Sequence, residues 1–288
     1  EKFRKVILSE ASEIDVISLT NTKKWVFDME ARYTVILLNT TKNKTPIKET
    51  SILGPITSLA DFNNLAEKKK ILFKNNEILS WTSDASFPLL SSPISAEVFK
   101  KIRKFDNLKT SFKSSWNFNP VQGDLNATSN KEYLKFNTIT NDKKYWPVYG
   151  GSSFNLWNSE TGINYAFSDS ERTLEYIFQK RHRSFNKLGT SAYTKLSKEY
   201  INNKSTIAPL STRISFRDIT NRTNKRTIIA SLVPPKIFLT HKAPYLLQTS
   251  GDQKDEAYLL GLLSSITLDW YARRFVETNL TFFILNAF

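Results

Sequence analysis

The sequence predicts two fold classes in succession: α/β, as the tail of an open sheet, and then mixed α+β with a long packing helix near the C-terminus. Three observations carry this. Residues 13–19 alternate apolar and polar at period two, and residues 33–38 are nearly continuous apolar, which is strand rather than helix patterning. Between about Phe112 and Thr240, short strand-like runs alternate with helical stretches and turn residues. Later, Leu259, Leu262, Leu263, Ile266 and Trp270 recur at helical spacing, which predicts a helix over 255–274.

Phe3, Val6, Ile7 and Leu8 give the opening segment an amphipathic helical pattern. The run at 33–38 reads as a strand buried inside an α/β sheet rather than an exposed edge. Trp25-Val-Phe-Asp28 lies between the two strands, and Arg32 just precedes the second. A strand pair without its sheet is no domain, so the remaining sheet is expected upstream of Glu1. Residues 39–49 are polar and rich in Lys and Thr, which suits a loop or ragged hairpin. A short helix is expected at 58–70, followed by a Ser/Pro-rich connector at 83–93. The domain boundary is placed there, with residues 1–90 as the α/β portion plus connector and 91–288 as the second domain.

In that second domain a helix is expected at 95–104, with Ser95 as cap and Glu97 in its first turn. Strands are expected at 133–139 and 145–149, and a helix at 168–180 with Ser168, Asp169 and Glu171 at its positive end. Further strands are expected at 213–217, 227–233 and 237–239, punctuated by Pro234-Pro235. Asp252, Asp255 and Glu256 open the last helix and Arg273 and Arg274 close it, the order a helix dipole favours. Glu1 is not an initiator, and the chain stops within the apolar run 282–288. The expectation is a piece of a longer polypeptide.

The 288 residues are 40% hydrophobic and 24% charged, ordinary for a folded protein. Their balance is not ordinary: 41 Lys and Arg against 27 Asp and Glu give +14, with a pI near 9.7. A basic excess of this size favours a polyanionic partner. There is no cysteine, which excludes disulfides and thiolate metal sites and fits a cytoplasmic location. The most apolar stretch, 257–268, is shorter than the roughly 18 residues a membrane span needs. No membrane association is expected.

Catalytic signals are weak. His182 and His241 are the only histidines, which argues against an N/S-ligated zinc or HNH-type site. The eight glycines form neither a dinucleotide nor a P-loop motif. Glu67-Lys68-Lys69 with Asp61 supplies the letters of a metal-nuclease motif, but such matches arise by chance in a lysine-rich chain.

The stronger signal is basic residues interleaved with hydrogen-bonding ones. Residues 212–227 carry Arg213, Arg217, Arg222, Asn224, Lys225 and Arg226. Their head alternates, placing Arg213, Ser215 and Arg217 on one face and Ile214 and Phe216 on the other. A strand would bury one face and present two guanidinium forks, which suit phosphate oxygens and the guanine edge. The bland alternative is a solvated hairpin with an Arg–Asp pair through Asp218. A second basic cluster, Lys180, Arg181, Arg183 and Lys187, follows a predicted helix. Tyr145-Trp-Pro-Val-Tyr-Gly-Gly151 offers a close backbone approach at Gly150 and Gly151.

In order, several of these segments resemble the C-terminal part of N6-adenine DNA methyltransferases of fused restriction–modification and phage-defence systems. In that family a TaqI-like target-recognition domain follows the methyltransferase fold. Residues 25–33 with the apolar strand after them are similar to the last strand pair of the methyltransferase sheet. Asp124 to Asn130, then Trp146-Pro-Val-Tyr149 with Gly150, Gly151 and Phe154, look like the opening of the recognition region. The family usually has an acidic or amide residue at one of those glycines. Residues 213–219 and 224–235 give the most specific match, and Asn279-Leu-Thr-Phe-Phe283 resembles the closing motif. The resemblance implies double-stranded DNA and an upstream methyltransferase domain as partners, with S-adenosylmethionine bound by the parent and not by this fragment. It adds Asn130 and Tyr149 to the DNA-binding candidates. The family's glycine-containing donor loop and Asn-Pro-Pro-aromatic tetrapeptide are absent, since Asn119-Pro120 is followed by Val121. No residue here is expected to be catalytic. A metal-dependent nuclease fragment and a basic protein-interaction scaffold are the alternatives.

Overall fold

The computed structural model describes residues 2–42, 48–108, 117–136, 142–187, 191–194 and 196–288. The fold is mixed α+β, arranged in two compact units.

Unit 1 comprises Glu1–Thr110, Thr220–Thr227 and Thr267–Phe288. Its first segment runs α1 (Lys2–Glu10), β1 (Glu13–Thr20), β2 (Thr34–Thr41), β3 (Glu49–Ile56), α2 (Leu59–Asn63), β4 (Ile71–Lys74), α3 (Asn75–Trp81) and α4 (Pro93–Ile102). The sheet order is β2-β1-β3-β4, with β1 antiparallel to β2 and parallel to β3, and β3 antiparallel to β4. Leu8, Val16, Ile52, Ile78 and Trp81 form the core beneath it. An aromatic file continues that core, with ring centroids at 4.8 Å for Phe73–Trp81, 5.0 Å for Trp81–Phe99 and 5.3 Å for Phe99–Tyr271. Buried Asn75 ends α1: its Nδ2 donates to the carbonyls of Leu8 and Ala11, and its Oδ1 accepts from Thr50 Oγ1 at 2.7 Å. Carbonyls at a helix terminus lack intrahelical partners, so this amide fills an obligatory vacancy.

Unit 2 comprises Ser111–Ile219 and Ile228–Ile266. It contains β5 (Asn117–Val121), β6 (Tyr145–Tyr149), β7 (Ala166–Asp169), α5 (Ser170–Phe185), α6 (Lys198–Asn202), β8 (Arg213–Phe216), β9 (Ala230–Val233), β10 (Phe238–Leu239), β11 (Tyr245–Ser250) and α7 (Gln253–Leu263). One sheet has the order β5-β11-β8-β9 and the other β10-β6-β7. α5 starts at its Asp169 cap, whose carboxylate accepts from the Arg172 amide at 3.1 Å.

Several expectations are corrected. β2 is an edge strand whose Ile36, Leu37 and Leu38 are exposed, because β1 flanks it on one side and no described strand lies on the other. The expected strand at 213–217 does not split into a buried and a solvated face. All four residues of β8 are buried, since β11 and β9 flank it and α7 packs against it. The expected long helix breaks at Ser264-Ser265, giving α7 and then α8 (Ile266–Ala272), as serines that favour caps and turns allow. The strand expected at 133–139 is a 3-10 turn at Lys131–Tyr133 with a single bridge from Lys135 to Phe167, and 137–139 lie outside the described residues. The polar stretch expected as a loop lies partly there too, at 43–47. The connector at 83–93 falls inside unit 1, and the division between compact units comes near residue 110.

Arg213, 3% exposed, is buried in unit 2 together with Asp124, 2% exposed. Its Nη2 donates to Asp124 Oδ2 at 2.7 Å and to the Ile237 carbonyl at 3.0 Å, and its Nη1 to the Ala208 carbonyl at 3.0 Å. The same Asp124 oxygen accepts the Leu239 amide at 2.8 Å. Burial pushes the Asp124 carboxyl above its ordinary value, opposed by Arg213, the Leu239 amide and Lys180. Asp124→Ala leaves this guanidinium without its counter-ion, and the expected loss is about 3–5 kcal/mol. Urea unfolding followed by circular dichroism measures it. Glu175→Ala, which removes the partner of exposed Lys204, should cost less than about 1 kcal/mol.

Candidate nucleic-acid interface

The basic segment singled out in the sequence becomes, over Thr220–Thr227, a loop of unit 1 held by two residues of its last segment. Asp269, 4% exposed, accepts the Thr227 amide at 2.7 Å and pairs with Arg226 at 3.3 Å and with Arg273 at 2.9 Å. Arg273 then donates to the carbonyls of Arg222, Asn224 and Lys225, each at 2.8 Å. Within the loop, Thr220 Oγ1 donates to the Thr227 carbonyl at 2.6 Å, and Asn221 Oδ1 accepts the Thr223 amide at 2.9 Å. The loop's carbonyls are thus gathered onto one guanidinium, and the side chains of Thr223, Asn224 and Lys225 are exposed.

Beside the loop lies a cavity of about 480 Å³ whose lining includes Thr22, Lys23, Arg32, Asn221, Arg222, Thr223 and Arg274 and, among the described residues, no carboxylate. Arg222 is half-buried, donating to Thr34 Oγ1 and to the Arg32 carbonyl, both at 3.0 Å. Burial pulls its pKa down, and Glu277, 3.9 Å away, opposes that. Arg274 donates to the carbonyls of Trp270 and Leu89. Burial, and then the charges of Arg273 and Arg222, lower its pKa. Arg32 pairs with exposed Glu30 at 2.9 Å, a contact worth little in water. Lys23 stands exposed on a left-handed backbone at φ 59°.

The other predicted residues of this loop divide by burial: Asn224 and Lys225 face solvent, whereas Arg222 and Arg226 are half-buried. In unit 2 most candidates turn inward. Arg213 is the core ion pair already described. Arg181 is buried, with its guanidinium on the Ile201 and Asn203 carbonyls and Thr206 Oγ1, because that face of α5 packs on α6. Lys180 donates to the Gly123 and Asp124 carbonyls at 2.9 and 2.8 Å, and burial lowers its pKa. Asn130 is buried, donating to Tyr176 Oη at 2.9 Å and accepting the Asn126 amide. Tyr149 is buried, and desolvation with nearby Glu160 pushes its hydroxyl up to about 12. Arg217 is half-buried and donates to the Phe154 carbonyl at 2.6 Å. Arg183 and Lys187 are exposed.

Sequence reading missed Asp269 and Arg273 as the residues that shape the loop. Their i,i+4 spacing on a helical pattern was the available signal for the pair. Nothing in the sequence pointed from that pair to the loop. His241 Nδ1 accepts the Ala127 amide at 3.2 Å, and Asp61 pairs with Lys68 at 3.2 Å. Among the described residues, no three of His, Asp and Glu gather where a metal ion could be held. No described helix is long and apolar enough to cross a membrane.

No protein-family model matches the chain, and no curated protein does. Solved structures of restriction–modification enzymes are similar to it at low identity. The type IIG restriction endonuclease BpuSI aligns with 99% of this chain at 12% identity and a TM-score of 0.35, covering 37% of its own length. The type IIL restriction-modification enzyme MmeI, solved in complex with DNA, aligns with 94% at 11% identity and a TM-score of 0.39, covering 33% of its own length. The chain spans about a third of the length of each.

Arg273→Ala removes the donor that gathers the three loop carbonyls. The expected result is faster amide hydrogen exchange across residues 221–226 and a stability loss of about 2 kcal/mol. Unchanged exchange there would show that Asp269 alone holds the loop.

Proposed function

We propose that this chain recognises double-stranded DNA sequence-specifically, as part of an S-adenosylmethionine-dependent N6-adenine DNA methyltransferase of a restriction–modification or phage-defence system. One observation carries the DNA reading: a loop tied down by Asp269 and Arg273 exposes Thr223, Asn224 and Lys225 beside a cavity lined by cations and, among the described residues, by no carboxylate. Lysine and arginine neutralise phosphates, while amide and hydroxyl side chains serve both phosphate oxygens and base edges. A chain carrying +14 supplies the long-range attraction. The order of motifs resembling the adenine methyltransferases supports the finer assignment.

On this reading the methyl donor is held outside this chain. A cavity lined by Lys23, Arg222 and Arg274 repels the sulfonium of S-adenosylmethionine, and no glycine-rich donor loop is present. On this reading the donor site and the transfer chemistry belong to an upstream methyltransferase domain of the same polypeptide. This chain docks the duplex and holds its register. An enzyme acting on adenine N6 must take the base out of the stack, so firm positioning of the flanking duplex is this chain's share of catalysis.

Fluorescence-anisotropy titration of labelled duplex DNA over a series of salt concentrations tests the reading. Affinity should fall steeply with salt, and Lys225→Ala should shallow the log–log slope by about 1. An affinity indifferent to salt would overturn the proposal and leave a scaffold whose charge is incidental.

A further inference from the structure

The exposed Trp157, in a loop of unit 2, has no explanation in packing. It is 71% exposed and its backbone sits at φ 60°, a left-handed conformation that bulky L residues rarely adopt. Among the described residues, no hydrogen bond, ring stack or cation involves its indole. The other described tryptophans are all engaged. Trp81 is in the unit 1 core, Trp25 Nε1 donates to the Thr20 carbonyl at 2.7 Å, Trp146 stacks on Phe238, and Arg274 lies over Trp270.

The loop around Trp157 is built to hold it out. Asn155 and Asn158 exchange backbone hydrogen bonds at 2.7 and 3.0 Å, closing a tight turn with Leu156 and Trp157 at its tip. Both asparagine side chains brace that turn: Asn155 Oδ1 accepts the Leu156 amide at 2.9 Å, and Asn158 Oδ1 accepts the Glu160 amide at 3.0 Å. Thr161 ties back to the Ser153 and Ser152 carbonyls at 3.0 and 2.8 Å. At its root Phe154 is fully buried, and Arg217 donates to the Phe154 carbonyl at 2.6 Å. A strained, over-determined backbone that exposes a large aromatic ring is the signature of a residue kept for contact rather than for stability.

From this geometry we infer that Trp157 is an aromatic wedge that stacks on an unstacked base of duplex DNA. The inference rests on the DNA reading proposed above. The loop that carries the ring is otherwise built largely from polar residues, Asn155, Asn158, Glu160 and Thr161, so its tip offers one aromatic face rather than the broad apolar area of a protein-docking patch. A single indole on a rigid tip suits insertion beside a base step, where side chains of this kind unstack and kink the duplex. Arg217, expected from the sequence to face DNA, acts here as a positioning residue for the loop.

The test compares two duplexes of about 30 base pairs and mixed sequence, one fully paired and one with a single unpaired central base. The intact chain should bind the second more tightly, with quenching of tryptophan emission, and W157A should lose about tenfold on it, within the range that base–aromatic stacking supplies. The salt slope of W157A should match the wild type, which separates lost stacking from a lost phosphate contact. W157G, free of the left-handed penalty, should match or exceed the wild-type melting temperature while binding as weakly as W157A. Steep salt-dependent binding by the wild type with W157A equally tight and equally quenched would overturn the wedge and leave the DNA reading standing. A lowered melting temperature for W157G would assign the ring a structural role and also overturn it. Salt-independent binding by the wild type would overturn both readings.

Discussion

The buried carboxylate of Asp269 is the interaction on which the conformation of unit 1's 220–227 loop depends. A carboxylate 4% exposed is costly unless it is paired and hydrogen-bonded. Here Arg226, Arg273 and the Thr227 amide meet that requirement together. Two of those partners come from the loop and one from the segment after α8, so satisfying one charge joins two stretches far apart in sequence. Once Asp269 has fixed Arg273, that guanidinium has one remaining direction of use, toward the carbonyls of Arg222, Asn224 and Lys225. The loop's conformation is therefore a consequence of neutralising a buried charge, and its outward side chains follow from where its carbonyls are held.

Unit 2 solves the same problem with other residues. Asp124 binds Arg213 and the Leu239 amide, while Lys180 caps the carbonyls of Gly123 and Asp124. Arg181 collects the carbonyls at the end of α6. In both units arginine is used as an internal fork for backbone oxygens, a task its planar array of donors suits better than a lysine point charge does. The formal +14 consequently overstates the charge available to a partner. What remains on the surface is largely lysine, with Arg183 and half-buried Arg217 and Arg222 beside it.

This explains which parts of the molecule were legible in the sequence. Period-two alternation located β1, and the apolar run located β2, because side-chain period depends on local backbone geometry. Whether a strand lies inside a sheet or at its edge depends on what pairs with it, and the composition of β2 reads alike in both cases. The same limit applies to β8. Alternation correctly separates Arg213 and Arg217 from Ile214 and Phe216, but coverage by α7 and the carboxylate awaiting Arg213 are tertiary facts. Arg181, Arg183 and Lys187 look equivalent as a basic cluster, yet the helical phase of α5 turns Arg181 onto α6 and leaves Arg183 in solvent. The loop at 220–227 was found because Asn, Thr, Lys and Arg cluster there whatever holds them.

Rigidity then bears on how such a surface would work. Ordering a loop on binding consumes part of the interaction free energy, so a loop already fixed by Asp269 and Arg273 keeps more of it for the partner. Fixation also favours discrimination, because Thr223 and Asn224 on a backbone tied by these hydrogen bonds shift less readily to accept a mismatched pattern of donors and acceptors. Lys225 differs: its flexible stem lets the ammonium follow a phosphate over several positions, which gives attraction with little selectivity. On the proposed reading, short polar side chains on a clasped backbone set sequence preference, and the long basic ones beside them set affinity. The two properties would then respond separately to substitution, even though their residues are neighbours in the same loop.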